Sequence, residues 1–88
     1  MGSNACKVLD HNFIEAVYAA TRFFGETFER PSIQPQLMVK DIPGWDSLNQ
    51  AAFTISIEQF YGIKEFTLTI TAEETLLDLY SKVASLTP

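Results

Sequence analysis

The chain has 88 residues, 47% of them apolar, and a net charge of −5. That is one domain's worth of protein, with ample material for a core and too much of it for a disordered chain. The acidic balance argues against a nucleic-acid backbone as partner and favours basic protein surfaces. A single cysteine, Cys6, excludes an internal disulfide or a thiolate metal cluster, and no apolar run approaches the ~18 residues that span a bilayer.

Residues 1–9 read as an N-terminal tail, its Met1-Gly2-Ser3 start having the form of an expression tag, and residues 10–88 as the domain. Cys6 stands where a myristoylation signal wants Ser or Thr, and no signal peptide precedes the domain, so the expected location is the cytoplasm. Asp10 and Asn12 are both good N-caps, and Asn12 has Glu15 three positions on. From there Phe13, Val17, Ala20, Phe24 and Phe28 recur at spacings of three or four, widened by Ile14 and Tyr18, which predicts a first helix ending near Arg30-Pro31. Pro31, Pro35, Pro43 and Gly44 then exclude a regular helix up to Trp45, and a connection this long tends to be functional. Ile33, Leu37, Val39 and Ile42 are the apolar residues that would anchor it.

A second helix should open near Ser47 and run to Tyr61, with Gly62 as its terminator. Leu48, Ala51, Ile55 and Tyr61 suit a core-facing stripe, flanked by Phe53, Thr54 and Ile57, and Asn49, Ala52, Ser56 and Gln59 share an exposed one. In residues 64–74, Phe66, Leu68 and Ile70 alternate with threonines as in a strand. A lone strand has no sheet to join, so an irregular segment or helical turn is expected there, more mobile than the main helices. Thr75 should cap a last helix, with Asp78 at N3 and Leu76, Leu79, Val83 and Leu86 on one face. The fold class is all-α: a small bundle of three to four helices with a long first loop.

The chemistry concentrates at Asp46-Ser47-Leu48. Gly44 allows a turn, and Ser47 then lies at a helix start, where unpaired N–H groups and the positive dipole end suit a phosphodiester on the serine oxygen. Taken alone, the tripeptide reads first as a helix start at which Ser47 is a plain N-cap. His11, the only histidine, has no visible partnership with Ser47, and no nucleophile–base pair or metal-ligand cluster is legible, so an autonomous enzyme is not expected. Nor is a DNA-binding helix-turn-helix, because no Lys or Arg lies between Asp41 and Ile63.

Three further matches stand in register with the tripeptide: Glu58, then Tyr61-Gly62-Ile63, then Thr75-Leu76-Leu77-Asp78-Leu79. Together they resemble the acyl carrier protein family, whose pattern is Asp-Ser-Leu, a Glu, Phe-Gly-Ile and Thr-Val-x-Asp-Leu. The resemblance covers residues 37–86 well and the first helix loosely. It implies a bundle of acyl-carrier type and a protein that is not an enzyme but a monomeric carrier on which separate enzymes act. Ser47 would receive 4′-phosphopantetheine from coenzyme A through a phosphopantetheinyl transferase, and the arm's thiol would hold acyl groups as thioesters. Asp46 would engage the transferase and its metal ion. Leu48 would secure the helix start and contact partners, with Asn49, Ala52, Ile55 and Gln59 beside it. Ile55, Ile57 and Tyr61 fall where some members shelter an acyl chain, but plain core packing is the role expected of each first. The other partners implied are acyl-loading and acyl-processing enzymes such as ligases, synthases or acyltransferases.

Two departures bear on the pathway. The second helix lacks the carboxylates with which many fatty-acid carriers meet basic enzymes, retaining only Glu58. Gly44-Trp45-Asp46-Ser47-Leu48 is similar to a variant of stand-alone carriers in specialised fatty-acid, polyketide or lipid pathways. The alternatives are an aminoacyl or peptidyl carrier, which usually has Gly-Gly-x-Ser, and an unmodified interaction subunit using Ser47 only as a cap.

Overall fold

A computed structural model describes residues 9–87, and Cys6 and the rest of the tail up to residue 8 lie outside them. Among the described residues there are three α-helices and no strand: α1 (His11–Thr21), α2 (Ser47–Tyr61) and α3 (Leu76–Leu86). Single 3₁₀ turns at Arg22–Phe24, Arg30–Ser32 and Val39–Asp41 punctuate the first connection. None of these helices is long and apolar enough to cross a membrane.

The N-cap of α1 is Asp10, whose carboxylate accepts the Phe13 amide at 2.8 Å, and not Asn12. Glu15 is drawn away from the helix start by Arg30, whose guanidinium it binds through both oxygens and which lies 4.0 Å over the Tyr18 ring. Leu9, assigned to the tail by sequence, is buried in the core. The helix stops well short of Arg30. Thr21 turns its hydroxyl back on the carbonyls of Val17 and Tyr18, the chain tightens into a 3₁₀ turn, and Gly25 at φ 81° ends it. Phe24 and Phe28 still reach the core, from irregular backbone.

The long connection is pinned by its apolar residues as expected, with Ile33, Val39 and Ile42 buried and Leu37 partly so. It is also tied to the start of α3. Leu76 and Leu77 donate to the carbonyls of Leu37 and Pro35, and Val39 donates to that of Glu74. Phe13, Val17, Phe53, Ile57, Leu76, Leu79 and Val83 meet in one core, with the Phe13 and Tyr80 rings 5.1 Å apart between α1 and α3. Thr75 and Asp78 form a reciprocal capping box. Leu86, expected inside, is 39% exposed because α3 ends there, beyond the packed region.

The buried face of α2 differs from the expected stripe. Phe53, Ile57 and Glu58 are buried, whereas Leu48 is 78% exposed, Ala51 is exposed, and Ile55 and Tyr61 are only partly covered. The helix carries apolar residues on every side, so hydrophobic spacing alone did not single out one face. Residues 64–74 are irregular, as expected. Leu68 and Ile70 point into the core while the intervening threonines face outward.

Candidate functional site

The turn before α2 is built around Gly44. Its φ of +81° is left-handed, and a Cβ there would lie 3.0 Å from both the Cβ and the carbonyl oxygen of Phe24. Only glycine meets both demands at this position. Trp45 follows, half-buried, with its ring edge-on to Phe53 at 5.2 Å and to Phe24 at 6.0 Å. These aromatic contacts bind the end of the α1 region to the approach of α2 and set the direction in which the next residues leave the core. Asn49 closes the turn from the helix side, its side-chain amide donating to the Gly44 carbonyl at 2.7 Å.

Asp46, extended at ψ 179°, is the N-cap: its carboxylate accepts the Asn49 amide at 2.7 Å and its carbonyl accepts that of Gln50. Ser47 is therefore the first helical residue, exposed and relieved of the capping task. It occupies the first position of a 15-residue helix, the end at which the backbone amides lack intrahelical acceptors and the dipole is positive. The arrangement fits a phosphodiester on the Ser47 oxygen. Ser47 is exposed, and the Asp46 carboxylate is already held by a backbone amide on the helix side.

The other sequence-derived site residues separate into two groups. Leu48, Ala52 and Gln59 are exposed on α2 with Ser47, and Asn49 and Ile55 are half-covered at the margin of that face. Ile57 is fully buried against the core, and Tyr61 sits at the far end of the helix. No cavity opens among the described residues, and no cluster of metal-ligating side chains forms among them.

Two features escaped the sequence reading. The Phe24–Trp45–Phe53 contact was hidden because its members are far apart in the chain. Glu58, read as a surface carboxylate, is 1% exposed and accepts the amides of Phe66, Thr67 and Leu68. The one signal for it was its place immediately after Ile57, one turn beyond Phe53. Comparison with known proteins found no matching family model, no matching curated protein and no matching solved structure.

Proposed function

We propose that the chain is a stand-alone acyl carrier of acyl-carrier fold, bearing 4′-phosphopantetheine on Ser47. The observation that carries this reading is the division of labour at the start of α2, where Asp46 caps the helix and leaves the adjacent Ser47 hydroxyl exposed. A serine serving only as a cap would hold the position that Asp46 occupies. Added to it are the in-register matches at Glu58, Tyr61-Gly62-Ile63 and Thr75–Leu79.

In the modification, the Ser47 oxygen would displace 3′,5′-ADP from the β-phosphorus of coenzyme A and lose its proton to the transferase. Asp46, exposed beside it, would present its carboxylate to the transferase's metal ion. The first-turn amides of α2 would stabilise the negative phosphodiester. When attached, the arm supplies a terminal thiol able to hold an acyl group as a thioester.

The exposed side of α2 favours a specialised partner set over basic fatty-acid enzymes. Of the five acidic residues that could make a docking face, Glu58 is buried and Glu74 is buried and paired with Lys82 at 2.8 Å, while Asp46, Glu73 and Asp78 are exposed but lie outside α2. What remains exposed on α2 is Ser47, Leu48, Ala51, Ala52, Gln59 and Phe60, a neutral surface.

The test is intact mass after incubation with a phosphopantetheinyl transferase, Mg²⁺ and coenzyme A. One arm should be added to the unmodified protein and none to Ser47→Ala. Addition at another serine, or none with several transferases, overturns the reading and leaves the unmodified interaction subunit.

A further inference from the structure

Residues 66–71 are held in an unusual way. Apart from the local turn in which Thr67 donates to the Lys64 carbonyl, and one in which Glu74 donates to that of Thr71, no backbone pairing ties this stretch to the described chain. Side chains grip it instead. The Glu58 carboxylate accepts Phe66 N at 3.3 Å, Thr67 N at 3.1 Å and Leu68 N at 2.8 Å. Gln50, two turns earlier on α2, donates to the Ile70 carbonyl at 3.2 Å, and Lys82 of α3 donates to that of Thr69. Glu74 accepts both the amide and the hydroxyl of Thr71.

Phe66 is the only non-glycine described residue at positive φ, at 65°, and its ring is 87% exposed. A left-handed residue followed by amides that converge on one anion is the geometry of a backbone nest. The left-handed turn at Phe66 directs successive N–H groups onto Glu58. Strain of this kind persists only while its surroundings enforce it. Beneath the strap, Leu68 and Ile70 are its only buried side chains.

We infer that residues 66–71 are a side-chain-latched strap that opens as one unit while α1, α2 and α3 stay folded, with the Glu58 carboxylate as its principal latch. Opening breaks bonds from the side chains of Glu58, Gln50, Lys82 and Glu74 and withdraws two apolar residues, but it disrupts no helix. Its neighbours on either side are fixed. Ile63 donates to the Glu58 carbonyl, and Lys40 donates to that of Ala72, so the hinges lie just outside the strap. This device does not depend on Ser47 being modified.

Native-state amide exchange, followed by NMR through low denaturant concentrations, tests the inference on the intact chain. The amides of Phe66, Thr67, Leu68 and Thr71 should share one opening, faster than that of the α2 amides and nearly independent of denaturant. In Glu58→Gln, all four should exchange at least tenfold faster, since bonds to a charged acceptor are replaced by weaker ones. Thr71 is decisive, because its amide is bound by Glu74 and not by Glu58. Gln50→Ala, a milder change should the first variant not fold, should accelerate the same four amides by roughly two- to tenfold. The inference is overturned if the strap amides follow the denaturant dependence of α2, or if Thr71 keeps its rate while its neighbours accelerate.

Discussion

At Asp46 and Ser47, adjacent residues divide two tasks that sequence reading could have given to either, and stability measurements should separate them. Asp46→Ala removes the carboxylate that accepts the Asn49 amide and should cost about 0.5–2 kcal/mol in denaturant unfolding. Ser47→Ala alters an exposed first-turn position with no cap to lose, and its effect should stay within about 0.5 kcal/mol. If the two costs were reversed, Ser47 would be the cap and its hydroxyl would not be free for modification. Gly44→Ala is the harsher change. The new Cβ must fit 3.0 Å from Phe24 at a left-handed φ, and the loss should exceed about 1 kcal/mol. On the proposed carrier function, Gly44→Ala should also slow modification of Ser47, because Phe24 backs the turn, and Ser47→Ala should abolish it.

Helix α2 is where periodicity misled, and the reason is physical. With Leu48, Ala51, Ala52, Phe53, Ile55, Ile57 and Phe60 distributed around it, the helix offers several faces of similar hydrophobicity. Packing against α1 and the strap chose Phe53 and Ile57, and brought Glu58 inside because the strap's amides supply the partners a buried carboxylate needs. The exposed remainder is neutral, so on the proposed carrier function the docking of an acyl-processing enzyme should rest on apolar contact and neutral hydrogen bonds. Its affinity should change little across a salt series. A steep loss of binding with salt would refute this. Ala52→Glu and Gln59→Glu should instead improve use by fatty-acid-type enzymes and introduce the missing salt dependence.

Across the whole molecule, a polar contact joins the start of α1 to α3. Asp10 caps α1 and accepts the Tyr80 hydroxyl of α3 at 3.0 Å, while the hydroxyl of Tyr61, at the end of α2, is shielded from solvent without a hydrogen-bond partner among the described residues. Burial pushes the Tyr61 hydroxyl up to about 12 from 10.0, with the charge of Asp10 and of an ionised Tyr80 adding to it. Tyr80 is also raised, first by its bond to Asp10. A raised acid keeps its proton in the folded state after the unfolded chain has lost it, so unfolding releases protons in that window. The stability present below pH 10.0 should therefore be lost as pH rises toward about 12. Tyr61→Phe should cost little at neutral pH, since the hydroxyl it removes has no partner, and should flatten the alkaline decline. Denaturant midpoints measured from pH 7 to 12 would reveal a decline as steep in the variant as in the parent, against this account.

Local chemistry determined much of this protein. Proline and glycine placed the breaks, Gly62 ended α2 where expected, Thr75 and Asp78 capped α3, and the apolar anchors of the first connection were legible one by one. Each of those signals acts over a few residues, through dihedral limits and nearby hydrogen bonds. The tertiary structure decided what depends on distant partners. It selected the buried face of α2, buried Phe28 from beyond the end of α1, set Trp45 against both Phe24 and Phe53, and turned Glu58 from a surface charge into the holder of the strap. A carboxylate's place is set by which amides can reach it, and those amides lie eight to ten residues away, beyond the helix that carries it.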